Sequence, residues 1–277
     1  MKIGYLGPQG TFSHKAAKEF AKTQENHELV PFNYIVDCLD AVNKKALDFA
    51  VVPFENSIEG TVTFTIDSLI FDVDVIIEQE IILPITHNLA VKNGVKKEVI
   101  TKILSHPQAL AQCKKYLDKN FHDAEKIQVS STAEAGNIVS QSNECLGAVC
   151  TKEAAELFGL TIIEESIQDE VQNKTRFLVV SKDGPTLPKY EGKTSIVFGT
   201  GNEPGSLYRI LDIMAIWDLN MSKIESRPRK NELGKYVFYI DMESTNAADI
   251  SDALKMIERK TSFFKHLGTY HTLQYRQ

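Results

Sequence analysis

With 277 residues, 43% of them hydrophobic and 25% charged, the chain has material for a sizeable core in one or two domains and is too apolar to be disordered. A net charge of −6 gives no electrostatic footprint for nucleic acid or an anionic membrane, and no apolar run approaches the ~18 residues a membrane helix needs. Turn residues Gly7 and Pro8 come too early for a signal-peptide core, Cys38, Cys113, Cys145 and Cys150 form no CxxC pair, and the seven histidines lack metal-ligand spacing, so a cytoplasmic protein with reduced thiols and no metal is expected.

The first ~180 residues alternate strand-like and helix-like segments, the pattern of an α/β sheet. Lys2 to Leu6 reads as a strand and "GPQGTFSHKAAKEFA" turns into a helix, while "FAVVP" at Phe49 to Pro53 is a second strand. Then "TKILS" leads into "HPQALAQCKKYLDK", "KIQVSS" into "TAEAGNIVSQ", and "LGAVC" into "TKEAAELFG". Polar residues crowd these junctions: Thr11 and Ser13; Glu55, Asn56 and Ser57; Ser105 and His106; Ser130, Ser131 and Thr132. Taken singly each is a helix cap, and "STAE" reads as nothing more. Acting together at the carboxyl ends of strands, they would make an anion-binding cleft.

Further on, "VQNKTRFLVV" places Asn173, Lys174, Thr175 and Arg176 at the mouth of an apolar, β-branched run that reads as a buried strand. Side chains alternate along a strand, so Arg176 is expected to point opposite to Thr175 and Phe177 and to form a salt bridge inside its lobe. A linker follows at 182–192, "SKDGPTLPKYEG". After it comes one unit of about 85 residues. "TSIVFGT" is a strand, and Leu207, Ile210, Leu211 and Met214 lie on one helical face; "NMSKIESR" and "KYVFYIDME" are strands with a turn around Asn231 and Gly234. Ile250, Ala253, Leu254 and Ile257 repeat the helical spacing before a last strand between Phe263 and Leu273, giving a ferredoxin-like βαββαβ order.

"GYLGPQGTFSHKAA", "VVPFENSIEGTV", "SHPQALAQC", "STAEA" and "NKTRFLVV" follow one another as in prephenate dehydratase, which the chain resembles, and "EPGSLYRIL" and "KIESRP" resemble the ACT regulatory domain of that family. The resemblance implies an α/β catalytic domain at 1–181 of the two-lobed, type II periplasmic-binding-protein-like kind, with lobe 1 at about 1–80 and 165–181 and lobe 2 at about 81–164. An ACT domain at 193–277 completes the chain. The implied reaction converts prephenate to phenylpyruvate, water and CO2 without a cofactor, with L-phenylalanine as feedback inhibitor and a homodimer or homotetramer as the assembly. Because the dehydratase motifs begin at Gly4, a monofunctional form is expected.

Thr175 matches the family's catalytic threonine, with the implied role of donating a hydrogen bond to the departing hydroxyl. Glu55, Asn56, Ser105 and Gln112 match positions in or around the cleft; Glu55 is a candidate proton donor, and Gln112, two turns along its helix from Ser105, is expected to brace the site. Thr11, Ser13, Ser131, Thr132, Arg176 and Phe177 are the candidate substrate-binding residues. Gly205, Ser206, Leu207 and Tyr208, where serine replaces the family's alanine at 206, and Glu225, Ser226, Arg227 and Pro228 match the phenylalanine-binding segments, between two ACT domains. Communication with the cleft is expected to pass through the 182–192 linker. Two other readings stay open, an arogenate dehydratase and a non-catalytic amino-acid-binding sensor; Thr175→Ala separates the sensor, which would keep binding, from an enzyme, which would lose turnover.

Overall fold

The computed structural model describes residues 1–184, 192–201, 203–230, 232, 234–244 and 246–274. The chain begins with β1 (Lys2–Leu6), α1 (Phe12–Ala21), β2 (Glu28–Phe32), α2 (Ile35–Asn43), β3 (Phe49–Asn56), the short β4 (Gly60–Thr61), α3 (Thr63–Asp67) and β5 (Ile76–Pro84). It crosses to a second lobe with β6 (Asn88–Val91), β7 (Lys102–Ser105), α4 (Pro107–Gln112), α5 (Lys114–Asn120), β8 (Glu125–Gln128), α6 (Thr132–Gln141), β9 (Leu146–Cys150), α7 (Lys152–Leu157) and β10 (Thr161–Glu164). It returns as β11 (Lys174–Ser181).

The first lobe is a sheet in the order β2, β1, β3, β11, β5, with β11 antiparallel to both neighbours; the second lobe has its own sheet, β10, β6, β9, β7, β8. Paired on both edges and covered on both faces, β11 buries Phe177 to Val180 almost completely, which is why that run is uniformly apolar. The expected lobe boundary at 80 falls inside β5, whose residues up to Pro84 pair with β11. The crossings are therefore 85–87 and 165–173.

Two local departures from the expected elements shape the site. Glu55 and Asn56 do not start a helix; they end β3, which folds back on β4 as a hairpin. The helix expected after Ser105 breaks at Cys113, because the Gln112 carbonyl accepts the backbone N–H of Asp169 instead of continuing the helical ladder.

The C-terminal module has β12 (Gly192–Gly199), α8 (Ser206–Ile216), β13 (Asn220–Pro228), β14 (Tyr236–Ser244), α9 (Ala247–Lys260) and β15 (Phe263–Gln274), in the expected βαββαβ order. It is not a separate body on a tether. The first part of β15 pairs with β12, and then His271 to Gln274 pair in parallel with β5, so the module's sheet continues into that of the first lobe. At the seam Gly268 adopts φ 139°, and any side chain there would collide with the Ile77 carbonyl oxygen. One core spans the junction, from Phe54, Leu178 and Val180 of the lobe to Val197, Tyr239 and Leu267 of the module. Within the expected linker, residues 185–191 lie outside the described residues, as does Asn231 of the expected turn.

Candidate active site

The site starts where β3 and β11 end side by side, with Asn56 opposite Thr175 and Glu55 opposite Arg176. Asn56 is oriented by the hairpin it opens: its Oδ1 accepts the backbone N–H groups of Ile58 (3.0 Å) and Glu59 (3.2 Å). Its Nδ2 is therefore left to donate to Thr175 Oγ1 at 2.9 Å and to Asn173 Oδ1 at 2.8 Å. A threonine hydroxyl has one proton. Since Thr175 accepts from Asn56, its own O–H is available to donate to a bound molecule.

The same logic passes along a second branch. With Asn173 Oδ1 occupied, its Nδ2 donates to Gln112 Oε1 at 3.0 Å, and that oxygen lies 3.0 Å from His87 Nε2, which must then carry the proton. Burial holds the His87 pKa below its usual value, against the opposing pull of the Gln112 bond, so the ring is neutral. Gln112, on the second lobe, thus braces Asn173 on the segment that returns to the first.

Around this chain lies a cleft of about 450 Å³ between the lobes. Thr175, Asn56, Phe177 and Pro53 line one side, His87, Gln112, Gln108 and His106 another. Two helix starts close it: Thr11, Phe12 and Ser13 of α1, and Ser131 and Thr132 of α6. Thr11 Oγ1 accepts only His14 N–H and Ser131 Oγ only Glu134 N–H, so other first-turn amides lack an intrahelical partner, a setting that favours anions. Among the described residues that line it, none is Lys or Arg. The lobes also touch directly, with Thr151 Oγ1 donating to the Gly10 carbonyl at 2.6 Å and Lys15 paired with Glu153.

Of the expected site residues, Thr175, Asn56, Gln112, Thr11, Ser13, Ser131, Thr132 and Phe177 meet in this cleft. Three do not. Ser105 is fully buried and donates to the Val149 carbonyl at 2.6 Å, tying β7 to β9. Glu55 and Arg176 occupy the other face of their strands, because neighbouring strand residues point opposite ways. Glu55 pairs with Lys223 at 2.7 Å, an ion-paired carboxylate outside the cleft and not one placed to protonate a leaving group.

As expected, Arg176 forms salt bridges inside its lobe, to Glu80 of β5 and, at 3.8 Å, to Glu55 of β3, and it is also held across the module boundary. Its guanidinium meets Asp241 at 2.5 Å and the Tyr270 hydroxyl at 2.7 Å on the module, and Glu80 at 2.5 Å on β5. Asp241 also accepts from Ser195 (2.5 Å) and Tyr239 (2.6 Å), and Lys193 reaches Glu80 at 2.8 Å. Burial works against each of these charges. It is outweighed: Tyr270, Asp241, Tyr239 and Glu80 keep the Arg176 pKa well above the usual range, and Arg176 with its hydrogen-bond donors holds Asp241 below the usual carboxylate range.

In the module, Gly205 takes φ 79° just before α8, which Ser206, Leu207 and exposed Tyr208 begin. Of the other expected effector segment, Glu225 accepts from Thr61 (2.5 Å) and Arg227 donates to Asp67 (2.7 Å), both on the first lobe, while Ser226 and Pro228 are exposed. His87 and Asn173 were not among the expected site residues. Asn173 adjoined the motif and could have been read from it; His87 lies between Thr86 and Asn88 in a short polar break between apolar runs and matches no motif.

A family model described as prephenate dehydratase matches residues 3–185. A prephenate dehydratase of Methanocaldococcus jannaschii is 42% identical over 272 residues, covering 96% of this chain and 96% of that protein. A bifunctional chorismate mutase/prephenate dehydratase of Aquifex aeolicus is 41% identical over 98% of this chain and 73% of its own length. Among solved structures, a prephenate dehydratase of Arthrobacter aurescens in complex with L-Phe superposes with a TM-score of 0.87 at 33% identity, covering 98% of this chain and 90% of that one.

Proposed function

The chain belongs to the prephenate dehydratase family, and from that premise we propose that the cleft converts prephenate to phenylpyruvate, water and CO2, with L-phenylalanine binding the C-terminal module as a feedback inhibitor. The observation that carries this reading is Thr175, whose hydroxyl accepts from Asn56 and keeps its own proton free within the cleft. As the bond from the ring to its carboxylate breaks, that electron pair enters the ring and the ring hydroxyl leaves with its own bonding pair. Aromatisation drives both events. The departing oxygen gathers negative charge and takes up a proton to become water, and a donor aimed at it from Thr175 stabilises that charge as it forms.

The substrate's two carboxylates meet neutral donors and no cationic side chain. First-turn amides of α1 and α6, with Ser13, Thr132 and His106 nearby, are placed to receive them. Phe177, Pro53 and Ile85 supply an apolar wall for the ring.

The test is phenylpyruvate release by the purified chain, with and without phenylalanine, in wild type and Thr175→Ala. Loss of the donor should lower kcat about 10²–10³-fold with KM little changed, and phenylalanine should suppress the wild-type rate. Turnover that survives Thr175→Ala would remove this residue from the mechanism, and no turnover of prephenate or arogenate would favour a ligand-binding sensor.

An oligomer is part of the same reading. The nine residues of β13 form one edge of the large sheet, and Tyr208, Ile216, Met221 and Ile224 are exposed on or near α8 and this edge. An open sheet edge of that length, with exposed apolar side chains on and beside it, invites a second copy. Light scattering should give a dimer or tetramer that Ile224→Lys weakens; a wild-type monomer at micromolar concentration would contradict it.

A further inference from the structure

The pairs Glu55–Asn56 and Thr175–Arg176 face each other across β3 and β11. One side chain of each pair, Asn56 and Thr175, faces the cleft. The other side chain of each pair, Glu55 and Arg176, is held by the C-terminal module. The β3–β11 register shifts between Arg176 and Phe177, so the pairing of Thr175 with Asn56 is set apart from that of the apolar run beyond it. Side-chain contacts on the far face add to strand pairing in fixing the height of Thr175 against Asn56.

The module provides three grips. Asp241 and Tyr270 hold the Arg176 guanidinium, which also lies 4.9 Å from the centre of the Phe54 ring. Phe54, on β3 and fully buried, packs against Tyr239 with ring centres 5.2 Å apart. Lys223 bonds Glu55 and also donates to Thr61 on β4, at 2.8 Å. Among these, Asp241 is the centre. It is fully buried, it faces Arg176 directly, and Ser195 and Tyr239 anchor it to its own sheet.

We propose that Asp241 is a positioning residue of the active site, supplied by the C-terminal module: by holding Arg176 it fixes the segment of β11 on which Thr175 meets Asn56. This rests on the assignment of Thr175 as the donor in prephenate turnover. A buried guanidinium that loses one of its carboxylates cannot stay where it is without cost. It shifts toward Glu80 or water, and the β11 backbone at 175–176 moves with it. The module thereby acts on catalysis through the sheet it shares with the first lobe, by side chains distant in sequence from the 182–192 segment.

The experiment is Asp241→Asn in the full chain, which keeps the shape and an acceptor for Ser195 and Tyr239 while removing the charge opposite Arg176. The expected result is a fall in kcat of roughly 10–100-fold, in keeping with the cost of misplacing a reacting group by about 1 Å. KM should stay within about twofold, because the helix-start groups placed to receive the carboxylates are untouched. Amide hydrogen exchange should quicken in a peptide covering 171–178 and not in peptides from β6 and β9. Should Asp241→Asn fail to fold, Lys223→Met removes the outer grip on Glu55 instead and should lower kcat about threefold with the same signature in KM. A folded variant with wild-type kcat overturns the proposal. If the wild type itself releases no phenylpyruvate, the functional reading fails separately, and the exchange difference at 171–178 alone decides whether Asp241 positions that strand.

Discussion

Asn56 is held so firmly by two backbone amides that its side chain has only one way to face Thr175. Asn56→Asp keeps the size and the bonds to Ile58 and Glu59 but presents a second oxygen to Thr175, which must then donate to it. The hydroxyl proton is drawn out of the cleft. A loss of kcat close to that of Thr175→Ala is expected, about 10²-fold or more, with little further loss in the double variant; full additivity would mean that the two residues act independently. Two histidines give the site a pH dependence of another kind. His87 is held below its usual pKa by burial, and His14 by burial and Lys18, with Glu153 opposing. Both are neutral when folded and bind a proton more readily when unfolded. Their contribution to stability is therefore complete above the unfolded value of 6.5 and is lost as pH falls through it toward the folded values. The melting temperature should drop between about pH 7 and 5.5, and His87→Gln, which can still donate to Gln112, should flatten that slope. A wild-type slope kept by the variant would assign the effect elsewhere.

Strand β11 was legible from sequence because it carries two signals at once, an apolar β-branched run and a polar mouth, and period-two alternation separates Thr175 from Arg176 without any structure. The partner of Arg176 on the C-terminal module was not legible. Asp241 lies 65 residues further on, in a strand whose own pattern accounts for its apolar neighbours but says nothing about which charge it meets. Likewise β15 read as the last strand of a separate unit; its pairing with β5 depends on a backbone approach at Gly268 that a lone glycine in a strand only hints at. Helix α4 shows the limit from the other direction. Its sequence favours continuing past Cys113, and the capture of the Gln112 carbonyl by Asp169 overrides it, setting the end of the helix at the residue that braces Asn173.

At the scale of the whole molecule local pattern anticipated an α/β alternation followed by a βαββαβ module, while the division of the first part into two lobes came only from the resemblance to the family. The sequence placed the module at the end of a tether, and the structure instead continues one sheet through the module and the first lobe, with Phe54 and Tyr239 in a single core. The cleft between the lobes holds no lysine or arginine among the described residues that line it, and the chain as a whole carries a net charge of −6. A dianion approaching such a molecule is repelled from afar and attracted only at the last few ångströms, where helix-start amides face it. Encounter is then unsteered, and capture is a short-range event. Salt should accordingly raise kcat/KM for prephenate modestly as the screening length shrinks toward about 10 Å near 0.1 M, the reverse of what a cationic funnel gives; a steep fall with salt would mean that long-range attraction guides the substrate after all. Evolution toward a faster encounter would therefore have to work on the rim of the cleft, leaving its interior as it is.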